Sequence, residues 1–305
     1  MQELLPLSWA KTRTETPVYR SLSLPLSGTV WVTFADLPDQ YSLSAVKDDL
    51  EMLFPQGYLI RGCGPEAVST LELQGGVILR TGGEAVLHLQ NGHFEKRSLR
   101  KLLHQAEKNG KIVEMPLNDE NRARLTELQR HARHGKRPQL SHVFRTYPFD
   151  ACRCFVLLSP ADEWLAAVTL TMRDDGIAHT ELMLKHTDAP SGSMELLLAG
   201  VFSRLREEGF VEWSLSEVPF YHLGRENAVT AEEWMIAMGA GLFRGAYDFK
   251  GLYDFKNKFS PEWRDVFLYS RREISPLILA ELAVKTRFTS LMVHMIQRTF
   301  IKQFF

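Results

Sequence analysis

Residues 177–217 read IAHTELMLKHTDAPSGSMELLLAGVFSRLREEGFVEWSLSE, and the fold turns on how this stretch is divided. IAHTELML, opened by the turn residues Asp174 to Gly176, has the composition of a strand. Asp188-Ala189-Pro190 and then Ser191-Gly192-Ser193 interrupt it with residues that favour turns over ladders. Beyond them Met194, Leu197, Leu198, Val201, Phe202 and Leu205 recur at helical spacing, and Gly209 stands where a helix stop belongs. VEWSLSE then returns to a strand. Strand, turn, helix and strand in this order make an α+β unit.

Working outward, CRCFVLLS and WLAAVTLTMR precede this stretch and predict an antiparallel meander with it. Before them lies HARHGKRPQLSH, a basic loop marked by Gly135 and Pro138. Asn118 caps a helix with Asp119 and Glu120 in its first turn, and SLRKLLHQAEKNG is a basic amphipathic helix burying Leu99, Leu102, Leu103 and Ala106. The first ninety residues offer strands at VWVTF and GYLIR, a helix over Ser42 to Phe54, and a hairpin in which Gly82-Gly83 separates VILR from EAVLHL. Downstream, Thr230 to Glu233 has capping-box spacing and predicts a helix, whereas the alternation YDFKNKF over Tyr253 to Phe259 predicts an exposed strand edge. The order of elements repeats loosely on either side of residue 100, as two α+β units of one architecture require.

At 305 residues and 34.9 kDa the chain exceeds one typical core, which fits two units. Its 45% hydrophobic and 24% charged content excludes a disordered chain. No apolar run is long enough to span a membrane and the first residues lack the pattern of a secretion signal, so a cytoplasmic location is expected. Three cysteines, Cys63, Cys152 and Cys154, do not make a disulfide framework. The net charge of −1 hides a split. Thirteen Lys/Arg face six Asp/Glu between Phe94 and Arg145, and ten face five between Lys250 and Phe305. Such segments suit a polyanion or an anionic membrane, or else form solvated helix faces.

The usual nucleophile, phosphate-loop, dinucleotide and zinc-protease motifs are missing from the sequence. Cys152-Arg153-Cys154 has no second ligand pair, and His131, His134 and His142 have no carboxylate or cysteine to complete a set, so no metal site is expected. Ser191-Gly192-Ser193 before a helix is either an anion-binding turn or an ordinary capped start. Lys250, Lys256 and Lys258 are interleaved with aromatic residues, on a surface that is either functional or merely solvated.

EKRSLRKLLHQAEKNG, ELMLKHTDAPSGSMELLLAGVFSRLREEGF and FKGLYDFKNKFSPEWRDVFLYSR, in this order, resemble the C-terminal domain of phosphatidylglycerol lysyltransferase over roughly residues 25 to 285. The DAPxGxM and FKxKFxPxW elements carry the resemblance. It implies two tandem GNAT-like (N-acyltransferase-like) units with mixed, mainly antiparallel sheets flanked by helices. The expected division is residues 1–95 for the first unit, 96–275 for the second with the catalytic cleft, and 276–305 for a basic amphipathic helix.

The resemblance also implies a reaction, in which aminoacyl-tRNA donates its amino acid to a hydroxyl of phosphatidylglycerol or a related lipid at the inner membrane face. No cofactor is implied beyond the tRNA co-substrate, and no DNA partner. Attack of an alcohol on an ester needs a proton acceptor, donors for the oxyanion and orientation of both substrates. By this resemblance Glu181, Lys256 and Lys258 are the catalytic residues. Asp188, Ser191, Gly192, Ser193, Lys250 and Trp263 bind substrate, and Arg97, Arg100, Lys101, Lys136 and Arg137 face the tRNA. Two departures stand out: Leu184 replaces the family's arginine in its D-L-M-R stretch, and Phe267 replaces a tyrosine after P-x-W. The membrane-spanning half of full-length family enzymes is not in this sequence, so membrane contact is expected to be peripheral. The tail SPLILAELAVKTRFTSLMVHMIQRTFIKQFF suits either a membrane interface or packing on the core. The competing readings are an acyl-CoA-dependent N-acyltransferase of the same fold and a non-catalytic nucleic-acid or membrane binder.

Overall fold

The computed structural model describes residues 4–72, 75–133, 135, 137–145, 152–174, 176–221 and 247–304. The helix expected from Thr230 and the tRNA-facing Lys136 lie outside these residues. Strands β1 (Ala10–Thr12), β2 (Val18–Leu24), β3 (Thr29–Pro38), β4 (Tyr58–Cys63) and β5 (Val77–His88) build the first half, with helices α1 (Leu43–Leu53) and α2 (Pro65–Glu72) between them. Helix α3 (Arg97–Ala106), strand β6 (Lys111–Met115) and helix α4 (Asp119–His131) lead into the meander β7 (Cys152–Leu158), β8 (Trp164–Asp174) and β9 (Ile177–Lys185). Helix α5 (Ser193–Glu207), strand β10 (Glu212–Pro219), helix α6 (Phe249–Asn257), strand β11 (Glu262–Ser270), and helices α7 (Pro276–Lys285) and α8 (Phe288–Phe304) complete it.

All eleven strands join one sheet in the order β1-β3-β4-β11-β5-β10-β9-β8-β7-β6, with β2 on β3. Strand β11 comes from the C-terminal part of the chain yet pairs antiparallel with both β4 and β5, so hydrogen bonding runs unbroken across the expected boundary at residue 95. At the centre, β9 and β10 run parallel but pair only over Ile177–His179 and Glu212–Ser214. Beyond that point β9 continues beside β8 and β10 beside β5, which opens a wedge between them. A bulge in β10 between Ser214 and Glu217, with Ser216 at φ 72°, turns the strand away.

The inward stripe of α5, Met194 to Leu205, packs with Leu99 of α3 on Leu87, Phe155, Val168, Leu170, Ala178 and Trp213 of the sheet. Helices α1 and α2 close a second core with Val32, Tyr58, Ile60, Leu5 and Trp9. Ile278 of α7 packs against Trp31, Leu59, Leu79 and Leu268 in a third. Burying three such layers supplies most of the folding free energy.

Three expectations are corrected. Gly82-Gly83 makes no hairpin, because β5 runs straight through it and pairs on both sides. A Cβ on Gly82 would lie 2.5 Å from the Val218 carbonyl oxygen, and one on Gly83 2.4 Å from the Tyr221 ring. These glycines allow close approach rather than a turn. YDFKNKF is not a strand edge, because its first five residues end α6, which the Asp248 carboxylate caps by accepting the Gly251 N–H at 2.8 Å. The tail after residue 275 is two helices, broken where Thr286 Oγ1 donates to the Leu282 carbonyl and Arg287 takes φ 58°.

Candidate active site

Charged side chains gather inside the molecule around the wedge. Glu181 on β9 is buried, and both carboxylate oxygens are taken: Oε2 accepts from Ser8 Oγ and from the Arg145 N–H, each at 2.8 Å, and Oε1 from Thr171 Oγ1 at 2.6 Å. Burial raises its pKa, and the three donors oppose that shift. Arg145 pairs with Asp36 at 2.6 Å and also donates to the carbonyls of Ala35 and Ser8. Arg173 pairs with Glu84 at 2.9 Å and donates to the Leu5 carbonyl. Arg61 pairs with Glu217 at 2.6 Å, while Thr81 donates to the other Glu217 oxygen at 3.2 Å. Three ion pairs between strands or loops of the two halves therefore line the interior, those of Arg145 and Arg173 desolvated and that of Arg61 part-exposed on the arginine side.

Lys256 reaches into this region from α6. Its Nζ is buried and donates to the bulge carbonyls of Ser216, at 2.9 Å, and Glu217, at 3.0 Å. Loss of hydration pushes its pKa down to about 7, against the pull of Glu217 and Glu84. A neutral amine that spends two hydrogens on those carbonyls keeps its lone pair. His179, the last residue of β9 paired with β10, meets Ser214 Oγ through Nδ1 at 3.1 Å. Burial, then the field of Arg173, Lys256, Arg61 and Arg145, holds it well below the ordinary histidine range, hence neutral. Among the described residues its buried Nε2 has no hydrogen-bond partner.

Lys256 lies within electrostatic reach of His179, whereas Lys258 lies elsewhere. Lys258 at the end of α6 pairs with Glu195 in the first turn of α5, at 2.8 Å. Gly192, at φ 83°, is the N-cap of α5, and a Cβ there would lie 2.9 Å from Ala106. Its open face is thus filled by α3, and Ser193 is buried with its hydroxyl donating to the Pro190 carbonyl at 2.8 Å. The turn that links β9 to α5 is therefore packed against α3. Ser191 is exposed and its carbonyl accepts from Asn109 at 3.4 Å; Asp188 is exposed on the same turn. Lys250 is exposed and paired with Asp254. Trp263 stacks on Tyr221 with ring centroids 4.4 Å apart. Arg97, Arg100 and Lys101 all stand exposed on α3, whose Leu99 and Ala106 face the core, and Arg137 lies half-buried on the basic loop. Leu184 is buried with Leu128, Val156 and Trp164, so the position of the family's arginine is an apolar contact here.

Sequence reasoning missed Arg61, Glu84, Arg145, Arg173, His179 and Glu217. Four of these stand at the ends of quoted strands: Arg61 closes GYLIR, Arg173 closes WLAAVTLTMR, Glu217 closes VEWSLSE and Glu84 opens EAVLHL. A charge against an apolar run reads as a solvated strand end, and only the packing of two halves buries it.

A mixed sheet flanked by helices, with a parallel pair splayed at its centre, is a GNAT-like fold. The family model described as phosphatidylglycerol lysyltransferase, C-terminal, matches residues 52–270, and the chain belongs to that family of phospholipid aminoacyltransferases. No curated protein sequence matches it. Among solved structures, L-PGS from Bacillus licheniformis has a TM-score of 0.69 at 19% identity, over 88% of this chain and 85% of that one. The C-terminal domain of a protein described as a lysylphosphatidylglycerol synthetase, from Agrobacterium fabrum, has a TM-score of 0.62 at 20% identity over 86% of each chain. FemX is similar at a TM-score of 0.51 and 9% identity, covering 87% of this chain and 90% of that one. At these identities the likeness establishes the fold.

Proposed function

We propose that the protein moves an aminoacyl group from aminoacyl-tRNA to a hydroxyl of phosphatidylglycerol or a closely related lipid at the inner membrane face. The observation that carries this reading is the Lys256 amine, buried at the wedge with a pKa of about 7 and two of its hydrogens fixed by backbone carbonyls. Family membership supports a phospholipid acceptor, and the aminoacyl-tRNA donor is part of the proposal. In the reaction the lipid oxygen bonds to the ester carbonyl carbon, the bond to the tRNA ribose oxygen breaks, and the lipid hydroxyl proton ends on that ribose oxygen. A neutral amine near pH 7 is suited to accept the proton and return it to the leaving group. Its protonated form stabilises the oxyanion between those events. Glu181 is a positioning residue in this scheme, since both its oxygens are committed to Ser8, Arg145 and Thr171. The exposed cations of α3 offer the tRNA phosphates a salt-sensitive surface beside the Asp188–Ser193 turn.

Expression in a bacterium lacking aminoacylated lipids, followed by mass spectrometry of the lipid extract, tests the reading. A new lipid heavier by one amino-acid residue, lost with Lys256→Met, supports it. An unchanged lipid profile from folded parent protein overturns it.

A further inference from the structure

Helix α7 is apolar on both faces, since Ile278, Leu279 and Leu282 pack inward while a second apolar stripe faces out. Leu277, Ala280 and Val284, spaced three and four apart, form its outward stripe, with Leu277 43% and Val284 59% exposed. Its acid faces inward: Glu281 is 7% exposed and accepts the backbone N–H groups of Leu26 and Ser27, each at 2.9 Å. Those donors lie on the β2–β3 turn, where Leu26 is 72% exposed. On α8, Val293 and Ile296 are exposed on neighbouring turns. Of the ten exposed large apolar side chains among the described residues, four belong to α7 and α8 and a fifth is Leu26 beside them. Such clustering marks a surface that something covers.

Charge says what covers it. From residue 276 to 305 the sequence holds Lys285, Arg287, Arg298 and Lys302 against Glu281 alone. Lys285 and Arg287 reach solvent, and Glu281, which Lys285 also influences, is held by the Leu26 and Ser27 N–H groups. Cations and scattered aliphatic side chains on a helix pair fit an anionic bilayer interface, where apolar groups enter the acyl boundary and cations meet headgroups. The place is also apt. Phe288 of α8 packs on Phe249, the first residue of α6, and on Phe220 just beyond β10, with ring centroids 6.2 Å apart in both cases. The surface therefore adjoins the same α6 and β10 that hold Lys256 in the wedge.

We infer that α7, α8 and the Leu26 turn form a docking surface for an anionic lipid bilayer, placing the Lys256 wedge beside the membrane. The inference rests on the acceptor being a lipid. The test is co-sedimentation of the full chain with mixed phosphatidylglycerol–phosphatidylcholine vesicles and with phosphatidylcholine vesicles, for the parent, Val284→Asp/Val293→Asp and Lys285→Glu/Arg287→Glu. All four residues reach solvent, and an unchanged melting transition verifies that each variant is folded. The parent should bind the anionic vesicles, more weakly as salt rises, and each double variant should lose about tenfold in affinity. Transfer to phosphatidylglycerol dispersed in detergent should stay at the parent level in both variants. Equal vesicle binding by parent and variants would overturn the inference while leaving the transferase reading intact. So would a parent dimer that becomes monomeric in the variants, since the patch would then be covered by a second copy. Retained vesicle binding with no transfer in detergent would sink the transferase reading alone.

Discussion

Lys256 carries two opposite consequences of burial. Its amine titrates near pH 7 because its α6 site removes water, so the fraction with a free lone pair rises through neutrality. Transfer by the parent should therefore climb with pH along a limb centred at about 7, after subtraction of spontaneous ester hydrolysis, and Lys256→Met should lose that limb together with about 100-fold or more in rate. A flat profile in the parent would remove Lys256 from the proton path. The same shift acts on stability with a definite sign. An unfolded lysine stays protonated to the ordinary value of 10.5, whereas the folded one gives up its proton from about 7 upward. The folded state thus gains relative stability as pH rises between those values. Melting temperatures of the parent and Lys256→Met should differ in the variant's favour at pH 6 and less so at pH 9. Glu181 behaves differently, since three donors already hold it. Glu181→Gln must turn its amide NH₂ toward Thr171 Oγ1, or toward Ser8 Oγ and the Arg145 N–H, so at least one hydrogen bond to a charged acceptor is lost or reversed. A loss of about 1–3 kcal/mol in denaturant unfolding is expected. No loss at all would mean that these donors find other partners.

Helices α3, α5 and α6 meet at one place, and Gly192 shows how closely. A side chain there meets both a positive φ and the Ala106 and Leu102 side chains, so Gly192→Ala should cost about 1–3 kcal/mol. Adding Ala106→Gly removes the nearest contact but not the backbone strain, so the double variant should recover part of the loss; additive losses in chemical denaturation would refute that packing. Lys258→Ala removes a half-exposed lysine from the buried Glu195 carboxylate and should cost about 1–3 kcal/mol in denaturant unfolding, a loss to be read separately from any loss of transfer. These elements also show what was legible beforehand. The α5 stripe, the Asn118 cap and the meander β7 to β9 follow from spacing and turn residues that act within a few positions. Gly82-Gly83 and YDFKNKF misled because their conformation is decided by distant neighbours, Val218 and Tyr221 for the first and the cap at Asp248 for the second. Glu181 and Lys256 were named through family resemblance, whereas their partners Ser8, Arg145 and Glu217 lie 173, 36 and 39 positions away in sequence. Local patterns carry no information on such contacts.

The sheet ties the molecule together by a strand exchanged late in the chain. Strand β11 fills the gap between β4 and β5, with Val266, Leu268 and Tyr269 buried, and the N-terminal segment returns the connection by placing Leu5 and Ser8 on Arg173, Arg145 and Glu181. Neither half can therefore open while the other stays closed. Hydrogen exchange should report the same opening free energy, within about 1 kcal/mol, for amides of β4 in the first half and β9 in the second. A chain ending at Ser260 loses both ladders of β11 and, among the described residues, six buried apolar side chains, Val266, Leu268, Tyr269, Ile274, Ile278 and Leu291, each worth about 1.5–3 kcal/mol, a sum comparable to the net stability of a whole domain at about 5–15 kcal/mol. It should show no cooperative melt by circular dichroism. The reason reaches the wedge: β10 is held on β5, and β5 on β11, so the bulge that presents the Ser216 and Glu217 carbonyls to Lys256 is braced by residues from both ends of the chain. A sigmoidal melt of the truncated chain, or β4 exchanging far faster than β9, would show instead that the halves are independent and that the wedge is built by the second half alone.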